Sequence, residues 1–169
     1  LTGRNDWSST FSSNKNSYFY PSANVSFVFS DAFPTLKENS WFSFGKLRAA
    51  ATRVGRQANG NFLYSTDTYF AKSNPSSGFG PNLLYPFRTQ IGYTLSNSAG
   101  NPNLGPEFTT SLEGGTELRF WRDRISLDVG YFKTKSTDII VAAPTSVASG
   151  FSSQVRNAGE LESSGWEVT

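Results

Sequence analysis

Apolar and polar residues alternate over an unusually long stretch between positions 107 and 120. In steps of two, one face carries Phe, Thr, Leu and Gly residues, whereas the other carries Glu113, Glu117 and Arg119. A period of two is the pattern of a β-strand. About fourteen residues at roughly 3.3 Å each span some 45 Å, well beyond the five or six residues usual for strands of globular proteins. The sequence therefore predicts a long strand that separates two different environments.

The same alternation recurs on both sides of this strand. The short segment WRDR (121–124) leads into a second run in which Leu127 and Val129 oppose Asp128, which predicts a hairpin. The complete set of predicted strands lies approximately at residues 1–6, 18–30, 41–54, 107–120, 124–135 and 165–169. Their connections alternate in length, with long predicted loops at about 7–17, 56–105 and 136–164. We expect an all-β fold.

Loop lengths and aromatic residues favour a membrane barrel over a soluble domain. Outer-membrane barrels combine short periplasmic turns with long external loops, and aromatic girdles flank their apolar band. No apolar run reaches the length of a transmembrane helix. The chain contains 15 Phe, 7 Tyr and 4 Trp, and several of them fall near predicted strand ends. We expect interface positions for Trp41, Phe120, Trp121 and Trp166.

The cost of charge in hydrocarbon predicts which face is which. An arginine near the bilayer midplane costs about 2 to 4 kcal/mol, so the charged face has to point away from lipid. The predicted lipid-facing residues are Leu112, Leu118, Leu127 and Val129. The predicted polar wall of the lumen consists of Glu113, Glu117, Arg119 and Asp128.

Five segments resemble one family of transporters. They are GRNDWSSTF (3–11), YPSANVSFVFS (20–30), SFGKLRAAATRVG (43–55), NPNLGPE (101–107) and NAGELESSGWEV (157–168). In order and spacing they are similar to the C-terminal half of SusC/RagA-type TonB-linked outer-membrane transporters of the Bacteroidota. The family fold is a single-chain antiparallel barrel of about 22 strands around a lumenal plug. The resemblance implies that this chain is an internal part of such a barrel, without the plug and the energy-coupling box.

The resemblance also implies a function and a location. Such transporters are multi-pass β-barrels of the outer membrane of Gram-negative bacteria. They import oligosaccharides or peptides with energy delivered through TonB, and a SusD-like surface lipoprotein sits over the external loops. A sheet with two open edges cannot leave its backbone groups unpaired in hydrocarbon, so we expect the segment to be ordered only together with further strands.

Aromatic residues of the longest predicted loop are candidate contacts to a ligand or to the lipoprotein. They lie among Asn, Ser, Gly and Pro, a mixture that can stack on sugar rings or pack against a partner protein. Self-packing or partner contact is favoured over direct ligand contact. The candidate residues are Tyr64, Tyr69, Phe70 and Tyr85.

Other kinds of site are not predicted. The chain has no Cys and no His, which removes thiolate metal sites and the commonest general base. Carboxylates such as Glu113 and Asp128 are typical of a wet barrel wall, so no catalytic pair is assigned and no enzyme activity is expected. The basic and aromatic segment 119–124 is typical of a membrane-interface turn rather than of a nucleic-acid patch. No metal or cofactor is expected. A passive porin and a soluble β-sandwich that binds a ligand remain the alternative functions.

Overall fold

The computed structural model describes residues 1–36, 41–60, 62–67, 70–72 and 89–169. Nearly all regular structure in them is β-strand, which confirms the predicted all-β class. The strands are β1 (Thr2–Trp7), β2 (Ser17–Phe27), β3 (Phe42–Arg56), β4 (Phe70–Lys72), β5 (Tyr93–Leu95), β6 (Ser98–Ala99), β7 (Glu107–Phe120), β8 (Ile125–Pro144) and β9 (Ser153–Val168). The helical elements are α1 (Phe29–Ala32) and two 3-10 turns, Pro34–Leu36 and Val147–Ser149. Across this part of the chain, no helix combines the length and apolarity needed to cross a bilayer.

Six long strands form an antiparallel meander. The order in the main sheet is β1-β2-β3-β7-β8-β9-β6, so each long strand pairs with the next long strand along the chain. The short β6 adds to the outer edge of β9 in parallel orientation, with Ser98 opposite Ser153. Strands β4 and β5 form a separate two-stranded ribbon. Within the described residues β1 and β9 do not pair with each other, so the sheet is open.

The prediction of a loop over 136–164 was wrong. Strand β8 continues to Pro144 and β9 already begins at Ser153, so residues 145–152 alone connect them. The register shifts between Ser136 and Ile139 and again between Ile139 and Ile140, and Asp138 has a φ of 57°. These β-bulges change the phase of the alternation and hide the strand in the sequence.

Smaller differences affect two other predicted segments. The segment predicted as a strand over 18–30 ends as a strand at Phe27, because the chain turns into α1 at Phe29. The long predicted loop 56–105 contains the short strands β4, β5 and β6. The β7 strand has the bounds expected from its alternation.

The tight turn between β7 and β8 has an unusual backbone. Trp121, Arg122 and Asp123 all have positive φ, between 50° and 64°. The Arg124 amide donates to the Phe120 carbonyl at 3.1 Å, and the Ser43 hydroxyl accepts from the Arg122 amide at 2.8 Å. Left-handed conformations cost non-glycine residues on the order of 1 kcal/mol or more each. Neighbouring β3 therefore holds the turn in a conformation that its sequence does not favour.

Buried apolar side chains concentrate at the opposite end of the sheet, near the long connections. There the fully buried Leu104 forms one cluster with Phe11, Ala58, Ile140 and Val155. Along the rest of the sheet many large apolar side chains are exposed, including Leu47, Leu112 and Trp166. Described residues of the long connections thus contribute to a small core, whereas the sheet below them is a single layer that exposes both faces.

Candidate functional site

An arginine of β3 spans two strands on the polar face of the sheet. The Arg48 guanidinium donates to both carboxylate oxygens of Asp128 on β8, and each of the two bonds measures 2.7 Å. It passes over Gly115 on β7, where an added Cβ would lie 2.9 Å from Arg48 Nε. Neighbouring strands lie about 4.8 Å apart, so only a long side chain crossing a glycine can reach the second strand. We refer to Arg48 and Asp128 as the arginine bridge.

The predicted polar-wall residues surround the arginine bridge. Glu117 accepts from Arg119 Nη2 at 2.7 Å, and Glu117 lies opposite Asp128 in the pairing of β7 with β8. Glu113 shares this face and lines a cavity with a volume of about 480 Å³ beside Arg48. The structure thus places the four predicted residues on one face, with cations and carboxylates interleaved. Whether this face borders the lumen remains a prediction.

Sequence reasoning missed Arg48 and the two glycines next to it. In the segment LRAAATR the alternation places Arg48 opposite Leu47, Ala49 and Ala51, but alternation gives a face and not a partner, so Arg48 was not singled out. The available signal was the coincidence of one long cation in β3 with Gly115 and Gly130 in the two following strands.

The predicted apolar residues lie together on the other face. Leu118 pairs with Leu127 and lies one row nearer the tight turn than Val129, while Leu112 pairs with Lys133 farther up the sheet. From the turn up to the Tyr131 row, this face of β3, β7, β8 and β9 carries no charged side chain. We refer to this area as the charge-free band.

Aromatic side chains mark both ends of the charge-free band. At the turn end Trp41 stacks on Phe120, with ring centroids 5.7 Å apart, and Trp121 lies beside Phe120 at 6.2 Å. At the other end Tyr131 and Trp166 are neighbours, with centroids 4.9 Å apart. All four predicted interface aromatics therefore lie at one of these two levels.

Charged residues appear on the apolar face directly beyond the Tyr131 row. Lys133 forms a salt bridge with Glu162 and Lys135 forms one with Glu160, each with an N–O distance of 2.7 Å. The Arg53 guanidinium lies over the Phe108 ring, 4.2 Å from its centroid. The change from uncharged to charged positions is thus abrupt and occurs at a similar level on three strands.

The NPNLGPE segment is fixed to β9 through Asn157. The Asn157 side chain donates to the carbonyls of Gly105 at 2.9 Å and Asp138 at 2.8 Å, and it accepts from the Gly105 amide at 2.9 Å. Asn101 donates to the Val155 carbonyl at 3.0 Å. The buried Glu107 accepts from Arg56 Nε and from the Ile140 amide, both at 2.8 Å. This set of bonds, the asparagine latch, gives the sequence motif a structural role that spacing alone did not suggest.

A second cavity, with a volume of about 880 Å³, lies next to the asparagine latch. Its lining combines amides, charges and aromatic rings, among them Lys15, Tyr18, Phe108, Arg156 and Asn157. Among the predicted loop aromatics, Tyr64 is 61% exposed and Phe70 begins β4. Tyr69 and Tyr85 lie outside the described residues. A contact of these aromatics with ligand or lipoprotein therefore stays a prediction.

Comparison with known families identifies the sheet. The profile of the family described as "TonB dependent receptor-like, beta-barrel" matches residues 1–169. The chain belongs to this family of receptor barrels. The predicted membrane barrel and its location in the outer membrane are thereby confirmed, and the family is one of receptors rather than of enzymes.

Curated relatives of this receptor barrel come from Formosa agariphila. TonB-dependent receptor P26 is 32% identical over 170 residues, and TonB-dependent receptor P3 is 29% identical over 169 residues. In both cases the alignment covers all of this chain and 16% of the relative. The chain therefore spans about a sixth of the length of these relatives.

Solved structures support the more specific resemblance. The RagAB peptide importer in its "closed-closed" state matches with a TM-score of 0.77 and 25% identity, covering 98% of this chain and 17% of that chain. Its "open-open" state gives the same TM-score with 26% identity. The siderophore receptor PirA from Pseudomonas aeruginosa matches with a TM-score of 0.51 and 22% identity over 92% of this chain and 25% of that chain, which shows the shared fold alone. The identification of a SusC/RagA-type receptor barrel is confirmed.

Proposed function

We propose that the chain forms part of the barrel wall of a TonB-dependent importer of peptides or oligosaccharides that works with a SusD-like surface lipoprotein. The observation that carries this proposal is the similarity to the RagAB peptide importer over 98% of the chain. A peptide is the favoured substrate, because that relative is a peptide importer and the polar face presents charges of both signs.

The orientation of the two faces is part of the proposal. The polar face with the arginine bridge lines the lumen, and the charge-free band contacts lipid. Lys133, the first charged residue of this face beyond the charge-free band, lies eight residues beyond Ile125 in β8. At about 3.4 Å per residue and a tilt of about 40°, this separation corresponds to roughly 21 Å along the membrane normal, just within the about 25 Å of an outer-membrane apolar band. The height at which charge begins therefore supports lipid contact for this face.

The same geometry supports the assignment of the two ends. Residues 121–124 form the short periplasmic turn, and the packed end with the asparagine latch lies outside the cell. The nearly equal similarity to both RagAB states favours a static role for this part of the wall, with movement during transport located elsewhere.

Uptake by cells that depend on the full receptor tests the function. Cells expressing it should take up labelled oligopeptides, and uptake should stop when TonB is deleted. Removal of the neighbouring lipoprotein should weaken uptake at low substrate concentration. A matched strain with an unrelated receptor controls for leakage through other proteins.

The alternatives make different predictions in this assay. A passive porin would admit oligopeptides without TonB and in proportion to their external concentration. An oligosaccharide importer would take up labelled glycans but not peptides, in a TonB-dependent manner. Peptide uptake that is unchanged by deletion of TonB would contradict the proposal.

A further inference from the structure

A row of cationic and hydroxyl side chains crosses the apolar face just beyond the charge-free band. Arg53 on β3 pairs in register with Thr110 on β7, and Thr110 pairs with Lys135 on β8. The three side chains therefore lie side by side, with the hydroxyl between two cations. Adjacent strands are about 4.8 Å apart, so both long side chains can reach an anion that lies over Thr110.

The charges around this row leave the position over Thr110 open to an anion. On the regularly paired parts of β3, β7, β8 and β9, the acidic groups on this face are Glu160 and Glu162, which belong to β9, on the side of the lysines away from Thr110. Asp138 lies farther out, at the bulge of β8 next to Thr137, the partner of Phe108. Across the described ranges Arg53 has no ion-pair partner and uses only the face of its guanidinium, against Phe108. Lys133 and Lys135 bind their glutamates in pairs whose side chains are 44–60% exposed. Exposed pairs contribute only about 0 to 1 kcal/mol, so a lysine can turn to another anion at little cost.

An apolar groove of about 520 Å³ lies directly below the row. Its floor is made of small side chains on β3 and β7, and an added Cβ on Gly114 would meet no atom closer than 4.0 Å. The groove is continuous with the charge-free band, and Lys133 stands at its upper end. Its lining residues on this face include Val25, Ala49, Ala51, Leu112, Gly114 and Tyr131, and Asn24 and Glu113, which belong to the polar face, also border it.

We propose that this face binds an anionic, phosphate-bearing lipid of the outer leaflet. The phosphate lies over Thr110 between Arg53 and Lys135, and an acyl chain fills the groove in front of Gly114. Phosphate oxygens accept strong hydrogen bonds from guanidinium, ammonium and hydroxyl groups. In a lipid the phosphate headgroup lies farther from the membrane centre than the acyl chains. The cationic row and the groove follow each other in the same order. The inference rests on the outward orientation proposed above.

Binding of phosphatidic acid to the full receptor in non-ionic detergent tests the site. Native mass spectrometry counts bound lipids, and titration gives the affinity. Arg53→Gln and Lys135→Gln should each weaken binding about tenfold or more, since each removes one charged donor. Gly114→Leu should also weaken it by filling the groove. Lys46→Gln, on the polar face, is the matched control and should leave the affinity unchanged.

Two further probes separate the parts of the ligand. Diacylglycerol has the same chains without the phosphate and should bind at least tenfold more weakly than phosphatidic acid. Inorganic phosphate should bind weakly and should be insensitive to Gly114→Leu. Equal affinity for diacylglycerol, or phosphatidic acid binding that none of the three variants changes, would overturn the proposal. Binding that follows Arg53 and Lys135 but not Gly114 would reduce the site to one for a free phosphate and overturn its lipid part.

A separate labelling experiment tests the orientation on which the site depends. In outer membranes, cysteines introduced as Leu118→Cys and Val129→Cys should be protected from a membrane-impermeant maleimide, whereas Glu113→Cys should react when the lumen is accessible. Reaction at the two apolar positions would refute the orientation and the lipid site together. Protection at both apolar positions, combined with equal affinity for diacylglycerol and phosphatidic acid, would refute the lipid site alone.

Discussion

The free-energy cost of an arginine substitution on the apolar face should depend on the height of that position in the membrane. It should not depend on which apolar side chain is replaced. Val129 lies four residues beyond Ile125, and Leu112 pairs with Lys133, which lies eight residues beyond Ile125. With about 3.4 Å per residue and a tilt of about 40°, Val129 is roughly 10 Å above the turn level and Leu112 roughly 21 Å. In a band of about 25 Å, Val129 is therefore close to the midplane and Leu112 close to the outer interface.

The expected magnitudes follow from these heights. Val129→Arg should destabilise the inserted barrel by about 2 to 4 kcal/mol, whereas Leu112→Arg should cost about 0 to 1 kcal/mol. Leu118→Arg, nearer the turn, should give an intermediate value. Ser111→Arg lies one residue from Leu112 but on the polar face, so it should have little effect and serves as the control.

The assay is the folded fraction of the full receptor in lipid vesicles as a function of urea concentration. The electrophoretic mobility of folded and unfolded receptor gives this fraction for each variant under the same conditions. A cost at Leu112 equal to that at Val129 would refute the height argument. A cost at Val129 as small as that at Ser111 would refute the assignment of the faces.

Three further predictions follow from the glycine, the latch and the turn. Gly115→Ala should cost about 1 to 3 kcal/mol, because its Cβ would lie 2.9 Å from Arg48 Nε and 3.0 Å from the Val129 carbonyl oxygen, whereas Gly114→Ala meets no close atom and should be nearly neutral in the same urea assay. Asn157→Ala should make the segment 97–106 markedly more sensitive to added protease, because it removes three hydrogen bonds of the latch, while Asn103→Ala, an exposed position in the same segment, should not. Arg122→Gly should stabilise the receptor by about 1 kcal/mol, since glycine adopts a φ of 57° without strain, and Arg124→Gly, outside the positive-φ residues, should give no such gain in urea unfolding.

Alternation predicted those strands whose two sides border different environments. Strand β7 has an uninterrupted register with β8 from Phe108 to Phe120, so its bounds and faces could be predicted from the sequence alone. The upper half of β8 could not be predicted, because the bulges near Asp138 reverse the phase and the residues beyond them pack against Leu104 and its neighbours rather than against lipid or water. Periodicity indicates which face of a strand each residue takes. It carries no information on a loop that folds back and covers the strand.

Side-chain partners across strands were likewise beyond the reach of the pattern. Arg48 and Asp128 are 80 positions apart, and their contact depends on the register of β3 with β7 and of β7 with β8. A shift of either register by one residue would move one partner to the opposite face. The polar wall could therefore be predicted as a set of residues, but the bonds within it could not.

The position of β6 has a consequence for the order in which this wall is assembled. The segment that contains β6 is held by β9 and the residues just before it, since Ser152 donates to the Asn97 carbonyl at 2.9 Å and Gln154 donates to the Gly100 carbonyl at 3.2 Å. These partners are separated by about 54 residues, whereas β8 and β9 are joined by residues 145–152 alone. Closing the short loop costs less chain entropy than closing the long one, so the β8–β9 hairpin should form first and the segment around β6 should dock on it afterwards. A receptor truncated before β9 would consequently keep residues 97–99 accessible to chaperones and proteases, even when every earlier strand is already paired.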